Sequence, residues 1–151
     1  MLNRLKSVFK SFESHDVHYV VIGGIAVVLH GVPRATLDLD ILIEATPENA
    51  RRLLDALEEA GLGTASLTSP EDILNNVITI FEDRVRLDVQ TKSPGITFED
   101  VWPRREIMTY QDQPFAVLCK DDLIASKLAA GRDVDIEDVR LLQDEETDTN
   151  G

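Results

Sequence analysis

Apolar residues recur every three to four positions at the start of the chain and then form continuous or alternating runs. Over residues 2–12 this spacing predicts an amphipathic helix, whose apolar positions are Leu2, Leu5, Val8, Phe9 and Phe12. The unbroken apolar run at 19–22 predicts a short buried strand. Gly23 and Gly24 follow it directly, and the apolar positions after them predict a second helix that ends near Gly31.

Residues 37–61 repeat the alternation of strand and helix. Leu39 and Ile41 alternate with polar residues, which predicts a half-buried strand over 37–44. Thr46 suits the N-cap of the next helix and Pro47 its first position. Apolar residues at helical spacing then continue to Gly61, which ends the helix.

The predicted elements of the second half are shorter. In chain order they are a loop at 63–70, a helical turn at 71–76, hairpin strands at 77–81 and 84–90, an irregular stretch at 92–103, short strands at 106–109 and 115–118, and helices at 121–130 and 134–142. The chain therefore reads as alternating helices and strands, with a helix pair at the C-terminal end.

The length and composition predict one domain. A chain of 151 residues with 43% hydrophobic content is long enough for one core but not comfortably for two, so we expect a single domain over residues 1–143. No stretch approaches the ~20 consecutive apolar residues of a membrane span, and the N-terminus lacks the apolar run of a secretory signal. We therefore expect a cytoplasmic protein without membrane association. The lone Cys119 is expected to be a small buried residue rather than a nucleophile.

The net charge limits the partners of the protein. At −13 the chain lacks the excess of Lys and Arg that grips phosphate backbones, so we expect no strong unassisted binding to nucleic acid. Part of the charge lies in residues 144–151, which carry four acids and no bases. This composition predicts a disordered acidic tail.

Three aspartates carry the strongest chemical signal in the sequence. Asp38 and Asp40 are two positions apart on a predicted strand, so their side chains project from one face while Leu39 points to the other. Asp88 alternates with apolar residues in the second strand of the predicted hairpin. Neighbouring carboxylates of this kind are ligands for Mg²⁺.

Two further groups have both a structural and a chemical interpretation. The glycine pair that begins at Gly23 would let a phosphate approach the backbone N–H groups at a helix start, although paired glycines more often form a tight turn. Near the C-terminus, Lys127, Arg132, Asp135 and Asp138 are spaced to meet where two helices join. From these residues alone, a salt-bridge cluster that locks the helices together is the favoured interpretation.

The spacing of these groups resembles the signature of the DNA polymerase β-like nucleotidyltransferase superfamily. There, a hydrophobic residue and Gly-Gly or Gly-Ser precede a carboxylate pair, and a third carboxylate lies on a neighbouring strand; the corresponding residues here are Gly23-Gly24, Asp38-Leu-Asp40 and Asp88. Two segments more narrowly resemble the abortive-infection (AbiEii-like) nucleotidyltransferases and related bacterial proteins, namely His30-Gly-x-x-Arg34-x-Thr36-x-Asp38-x-Asp40 and Lys127-x4-Arg132-x2-Asp135-x2-Asp138. The resemblance spans roughly residues 20–142 and implies the nucleotidyltransferase fold, an α+β fold in which helices pack on a mixed β-sheet.

The resemblance also implies an activity, the Mg²⁺-dependent transfer of an NMP from an NTP. Asp38, Asp40 and Asp88 would be catalytic residues and ligands of two Mg²⁺ ions, with Mn²⁺ as an alternative. The groups that would contact the nucleotide are Gly23, Gly24, Arg34, Thr36 and Lys127. Asp135 would orient Lys127 or assist deprotonation, which places both among the catalytic residues.

Several other polar residues are close to these motifs. His15 and His18 lie at a helix-to-strand connection with no third metal ligand, so we expect solvated side chains. His30 is expected to end a helix near the site rather than act as a base. Arg84 and Arg86 are predicted to share a strand face with the third aspartate, where they either balance the acids or contact phosphate or acceptor.

Two functions from different classes fit the sequence. The first is an enzyme that transfers a nucleotide to the hydroxyl of an RNA end, a protein or a small molecule, within a toxin–antitoxin or phage-defence system. The second is a catalytically idle antitoxin or regulatory module that binds a basic partner protein. The three acids favour the enzyme, whereas the small size and the acidity favour the partner module. With no obvious second domain to grip a substrate, a macromolecular acceptor would require a homodimer or a companion protein.

Overall fold

Helices and strands alternate through the part of the chain that the structure, a computed structural model, describes, which is residues 2–33 and 38–150. The elements in order are α1 (Leu2–Ser14), β1 (Tyr19–Ile22), α2 (Gly23–Leu29), β2 (Asp38–Ile43), α3 (Pro47–Glu59), α4 (Pro70–Leu74), β3 (Ile78–Glu82), β4 (Arg86–Gln90), α5 (Phe98–Val101), β5 (Glu106–Tyr110), β6 (Gln113–Val117), α6 (Lys120–Ala130) and α7 (Asp133–Asn150). This order confirms the predicted α+β class.

Local sequence signals set several helix ends. The Thr46 hydroxyl accepts a hydrogen bond from the Asn49 backbone N–H at the start of α3, as expected for an N-cap. Ser69 and Asp72 form a reciprocal capping box at the start of α4. At the end of α6, Gly131 adopts a φ of 68°, a left-handed conformation that glycine tolerates best.

The strands of the described residues form one mixed sheet in the order β3-β4-β2-β1-β6-β5. Strand β2 pairs with β1 in the antiparallel direction and with β4 in the parallel direction. Strand β6 is parallel to β1, while the two outer pairs, β3–β4 and β5–β6, are antiparallel. Strands β2 and β4, which carry the three aspartates, are therefore adjacent in the interior of the sheet.

Side chains along β2 and β4 alternate between a buried face of the sheet and the face that carries the aspartates. Leu39 and Ile41 on β2 are at most 1% exposed, as are Leu87 and Val89 on β4. The aspartates between them are half-buried and lie on the opposite face. Burying four such side chains favours this register, because a slip of one residue would place the carboxylates in the core.

Helix α1 covers the core at the β1–β6 side of the sheet and packs on α3 and β6. Phe9 stacks on Phe115 with ring centroids 4.5 Å apart, and Phe12 lies 4.7 Å from the ring of Tyr19. These rings are buried, and such pairs contribute about 1 kcal/mol each beyond area burial. The amphipathic pattern of the first twelve residues therefore marks a core-facing helix, as the sequence indicates.

Three short segments differ from the predicted elements. Gly63–Leu67 forms a 3₁₀ helix where a loop is predicted. Phe98–Val101 and the following 3₁₀ turn Trp102–Arg104 lie in the stretch predicted to be irregular, because the Thr97 hydroxyl accepts from the Asp100 N–H and starts a helix there. Strand β4 begins at Arg86, so residue 84 lies in the turn before it.

Helix α7 continues to Asn150, whereas the sequence predicts an end near residue 142 and a disordered tail from 144. Ion pairs of Arg140 span the junction: its guanidinium is 2.6 Å from Glu137 and 3.0 Å from Asp144. Pairs at these helical spacings stabilise a helix by a few tenths of a kcal/mol, roughly 0.2–0.5 each, which favours continuation of the helix.

Two expectations drawn from composition concern the chain as a whole. The buried apolar residues of the described chain, except Val139, form one cluster, while the assignment of a single domain over 1–143 stays a prediction. None of the described helices is both long and apolar enough to cross a membrane.

Candidate active site

The register of the parallel pair β2–β4 brings the predicted carboxylates together. Asp40 lies directly opposite Asp88, and Asp38 lies opposite Arg86. Neighbouring strands of a sheet lie about 4.8 Å apart, so two carboxylates and a guanidinium share one small area. The structure thus places all three aspartates on neighbouring strands and on the same face.

Asp40 experiences the strongest electrostatic perturbation in this group. Burial, more than any other cause, raises the pKa of its carboxyl to about 7 from an ordinary value of 3.8, and the charges of Asp88 and Asp38 and a hydrogen bond with Asp88 add to the increase. The positive charge of Lys127 acts in the opposite direction. A carboxyl that resists ionisation because of burial and nearby negative charge is one whose charged form a cation would stabilise.

Arg86 bridges the aspartates of the two strands. Its Nε donates to Asp88 Oδ1 at 3.1 Å and lies 3.8 Å from Asp38 Oδ2. The hydrogen bond and charge of Asp88 raise the pKa of the guanidinium. The balancing role considered from sequence is therefore present, and contact with phosphate or acceptor stays a prediction. Arg84, in contrast, precedes β4 and lies against Gly61, so the prediction that it shares the strand face with Asp88 is wrong.

Gly23 has a steric reason to be glycine. Its φ is +71°, and a Cβ built on it would overlap Asp40 Oδ2 and lie 3.1 Å from Asp40 Cγ. Any larger residue would displace the carboxylate and strain the backbone. The phosphate-binding role expected for Gly23 and Gly24 stays a prediction, while the structure gives the first glycine a separate role in admitting Asp40.

The C-terminal cluster is a buried ion-pair network. Lys127 Nζ lies 3.2 Å from both Asp135 Oδ1 and Asp138 Oδ2, and these three side chains are at most 7% exposed. Arg132 adds hydrogen bonds to Asp135 from Nε at 2.7 Å and from its backbone N–H at 3.2 Å. Hydrogen bonding with Arg132, followed by the bond and charge of Lys127, lowers the pKa of Asp135 to about 2 despite its burial.

This network also borders the aspartates. The charge of Lys127 acts on Asp40, and that of Asp40 acts on Arg132. Lys127 therefore belongs to the salt-bridge cluster that the residues alone favour, and this cluster lies beside the candidate active site. Nucleotide contact by Lys127 and a catalytic role for Asp135 stay predictions. Arg34 and Thr36, also predicted to contact the nucleotide, lie outside the described residues.

The ligands for a metal ion are partly in place. Among the residues that the structure describes, no group of three His, Cys, Asp or Glu side chains is arranged to hold a metal. Asp40 and Asp88 share a hydrogen bond, whereas Asp38 is turned towards Arg86. The two adjacent carboxylates fit a hard cation such as Mg²⁺ or Mn²⁺. Recruitment of Asp38 as the third ligand would require Arg86 to release it.

The histidines lie apart from this chemistry. His15 Nδ1 lies 2.9 Å from the Ser11 carbonyl oxygen and 3.1 Å from Glu59. His18 stacks on Trp102 with centroids 4.8 Å apart. With side chains 28% and 30% exposed, these two histidines are packed rather than solvated, which corrects the expectation.

Two other residues flank the start of α6. His30 ends α2, as predicted, and its Nε2 lies 2.7 Å from the Leu118 carbonyl oxygen. Cys119 is half-buried rather than buried, and burial is the main cause that raises the pKa of its thiol. A thiol held in its protonated form is a poor nucleophile, as expected.

One candidate site residue was not identified from sequence. Arg4, near the start of α1, lines a cavity of about 440 Å³ together with Asp38 and Arg86. No local pattern distinguishes Arg4 from the other polar positions of an amphipathic helix. Its place beside the aspartates depends on how α1 packs on the sheet, which the sequence pattern does not specify.

The fold is that of a nucleotidyltransferase. The chain belongs to the family described as "Nucleotidyltransferase of unknown function (DUF6036)", which matches residues 2–143. The narrower resemblance to abortive-infection nucleotidyltransferases is not confirmed by this match. No curated protein sequence matches the chain.

Two solved structures share the fold. The lincosamide antibiotic adenylyltransferase LnuA, in a lincomycin-bound crystal structure, is 18% identical with a TM-score of 0.58, over 95% of this chain and 96% of that chain. An antigenic nucleotidyltransferase-like protein from Paracoccidioides brasiliensis is 16% identical with a TM-score of 0.58, over 91% of this chain and 72% of that chain. At these identities the similarity establishes the fold alone, and it agrees with the predicted nucleotidyltransferase fold.

Proposed function

We propose that this nucleotidyltransferase moves an NMP from an NTP to a hydroxyl acceptor and that Asp38, Asp40 and Asp88 are its catalytic carboxylates. The observation that carries the proposal is the register of β2 and β4, which sets Asp40 opposite Asp88 with Asp38 on the same face. A purely structural sheet has no use for three acids at this position, since burial and then the neighbouring negative charges raise the pKa of Asp40.

The balance of the reaction is simple. The acceptor oxygen forms a bond to the α-phosphorus of the NTP, the bond from that phosphorus to the bridging oxygen of the β-phosphate breaks, and pyrophosphate leaves. The hydroxyl proton passes to a carboxylate of the set. Two Mg²⁺ or Mn²⁺ ions, held by Asp40 and Asp88 with Asp38 as the further ligand, would supply charge neutralisation and Lewis-acid activation.

The remaining predicted residues act on the nucleotide side of the carboxylates. Lys127 lies close enough to influence Asp40, and in the proposal it contributes positive charge towards the triphosphate while Asp135 holds it in place. The backbone of Gly23 and Gly24 contacts phosphate, as do the side chains of Arg34 and Thr36. These assignments follow the motif resemblance and phosphoryl-transfer chemistry, in which positioning and electrostatics dominate.

The biological setting that we propose is a cytoplasmic toxin–antitoxin or phage-defence system, on the resemblance to the abortive-infection enzymes. The lincosamide adenylyltransferase with the same fold was crystallised with lincomycin bound, so a small molecule is one class of acceptor that we consider; its drug specificity is not carried over to this chain. The acceptor of this protein is therefore sought among RNA ends, proteins and small molecules alike.

Label transfer tests the proposal directly. The purified chain is incubated with Mg²⁺, a mixture of cellular RNA, protein and metabolites, and each NTP labelled either at the α- or at the γ-phosphate. We expect α-label in the acceptor and γ-label in pyrophosphate, and we expect Asp40→Asn or Asp88→Asn to reduce transfer by at least about a hundredfold. The matched control is Asp55→Asn on the exposed surface of α3, which should retain full transfer.

Two outcomes would reject this function. Transfer of γ-label to an acceptor would identify a kinase-type reaction instead. Absence of transfer with every NTP, together with co-purification of a basic protein that survives the aspartate substitutions, would favour the idle regulatory module, for which the net charge of −13 is the supporting observation.

A further inference from the structure

Two adjoining cavities extend from the aspartates towards the N-terminal helix. The first, of about 440 Å³, is lined by Asp38 and Arg86 of the candidate active site and by Arg4 and Arg84. The second, of about 330 Å³, shares Arg4 and Arg84 with it. We call the combined depression the arginine groove. Its volume is in the range of sites for small molecules, roughly 300–1,000 Å³.

Arg4 and Arg84 differ from the other described arginines in having no carboxylate partner among the described residues. Arginines with a carboxylate within 4.0 Å are Arg51, Arg52, Arg86, Arg104, Arg132 and Arg140. Arg105 lies over the ring of Trp102 instead, at 3.7 Å from the centroid. In a chain with 28 acids and 15 bases, two uncommitted guanidinium groups that line the same cavities form a binding site for an anion.

Three carboxylates also line the groove, and among the described residues none of them forms an ion pair with Arg4 or Arg84. Asp38 belongs to the catalytic set and is engaged by Arg86. Asp83 Oδ2 faces the Gly63 backbone N–H, at 3.5 Å, and Glu82 is an exposed residue of β3. Arg84 itself lies across Gly61, where the absence of a side chain leaves room for the guanidinium.

The deeper part of the groove is apolar. The lining of the second cavity includes Val8 and Leu62, which are 2% and 3% exposed, with Ala60 and Val85 beside them. An apolar wall beside paired cations suits a ligand that has an apolar ring or chain and one anionic group.

The sheet order places the groove on the acceptor side. Helix α2 with Gly23 follows β1, and helix α6 with Lys127 follows β6, so both lie on one side of β2. Strand β4 and the turn that carries Arg84 lie on the other side. A nucleotide bound near Gly23 and Lys127 would not occupy the groove, which therefore remains open to the second substrate, the acceptor.

We propose that the arginine groove binds the hydroxyl-bearing acceptor and that this acceptor is a small molecule with an apolar body and one anionic group, such as a phosphate. The inference rests on the proposed nucleotidyl transfer for its reaction, but the groove's binding properties can be measured without it. A polymeric acceptor such as RNA is disfavoured because the net charge of −13 repels a polyanion.

The test uses phenyl phosphate as the probe, titrated into the full chain without NTP or metal. Binding is followed by the side-chain Nε–H NMR resonances of the arginines. We expect saturable shifts at Arg4 and Arg84 and binding weakened at least about tenfold in Arg4→Gln/Arg84→Gln, since each charged contact contributes on the order of 1.5 kcal/mol or more. Benzyl alcohol, with a similar ring and no charge, should bind at least about tenfold more weakly than phenyl phosphate.

The matched control is Arg51→Gln/Arg140→Gln, which makes the same change at two exposed sites and should leave binding unchanged. Absence of saturable binding, shifts confined to other arginines, or equal affinity in the Arg4/Arg84 variant would each overturn the inference. Failure of the proposed function is seen separately, as loss of label transfer in a protein whose groove still binds the probe. The Asp40→Asn variant should likewise retain probe binding.

Discussion

Asp40 is held between groups that oppose its ionisation and one that favours it. Gly23 allows its carboxyl to approach the backbone, Asp88 faces it across the ladder, and Lys127 supplies the nearby positive charge. In the absence of a cation, ionisation of this carboxyl therefore lowers the free energy of unfolding. The size of this effect depends on pH.

The first prediction concerns that pH dependence. Because the pKa of Asp40 is about 7 in the folded protein and ordinarily 3.8, the folded chain binds the proton more tightly than the unfolded chain, and the free energy of unfolding falls as pH rises from about 4 to 7. Asp40→Asn removes this contribution. We expect the variant to be more stable than the parent at pH 8 without divalent ions, by about 2 kcal/mol, in urea denaturation.

Mg²⁺ provides the control for this effect. It should stabilise the parent and leave Asp40→Asn nearly unchanged, because a bound cation relieves the repulsion only where the carboxylate is present. Asp55→Asn, on the exposed face of helix α3, should follow the parent at every pH. A parent and an Asp40→Asn protein with the same pH slope would contradict the electrostatic account.

At the residue scale, the sequence predicts those features of the site that follow from the alternation of side chains along a strand. Asp38, Asp40 and Asp88 could be placed on one face because alternate strand residues share a side. The role of Gly23 could not be read in the same way, since it depends on contact with Asp40 from the next strand. The pairing of Arg86 with Asp88 likewise depends on where β4 begins.

At the element scale, the C-terminal helix pair is joined by charge as well as by packing. Lys127 of α6 bonds to Asp135 of α7, and both side chains are nearly inaccessible. The lowered pKa of Asp135, about 2 against an ordinary 3.8, means that its stabilising contribution is complete above about pH 4 and is lost as the pH falls towards 2. The network is therefore intact at neutral pH.

The second prediction follows from the burial of this pair. Lys127→Met leaves Asp135 with Arg132 as its remaining cation and removes the ammonium from Asp138. Loss of one partner from a buried network costs about 3 kcal/mol, and we expect that decrease in unfolding free energy. Lys120→Met, the same change at the start of α6, should cost less than about 1 kcal/mol.

NTP affinity, measured where the variant is fully folded, separates the two roles of Lys127. A large loss of stability with unchanged affinity would assign this lysine to the helix junction alone. A decrease in stability below about 1 kcal/mol would contradict the buried network itself. The sequence spacing of the four charged residues predicts that they lie close together. Their burial depends on how the two helices pack, which no local pattern specifies.

Element bounds were predictable where a strong local signal ends the element. The Thr46 cap and Gly131 fix helix ends within the sequence itself. The 3₁₀ helix Gly63–Leu67 and helix α5 have few residues and no repeating apolar pattern, so periodicity gives no signal for them.

At the scale of the whole molecule, three arginines line one groove of a strongly acidic chain. The net charge is −13, yet Arg4, Arg84 and Arg86 line one groove beside the aspartates. Such an arrangement repels long polyanions and admits a small ligand with one anionic group. RNA binding by the whole chain therefore distinguishes a small-molecule acceptor from a polymeric one.

The last prediction is that the purified chain binds RNA weakly. Because binding to a phosphate backbone depends on counterion release by Lys and Arg, we expect a Kd for a tRNA-sized RNA weaker than about 10 μM at 0.15 M salt, measured by fluorescence anisotropy. Arg4→Gln/Arg84→Gln should change this value little, although we expect it to weaken the binding of phenyl phosphate at least about tenfold. Tight RNA binding that weakens steeply with salt would contradict both the charge argument and the small acceptor, and would identify an RNA end as the substrate of the groove.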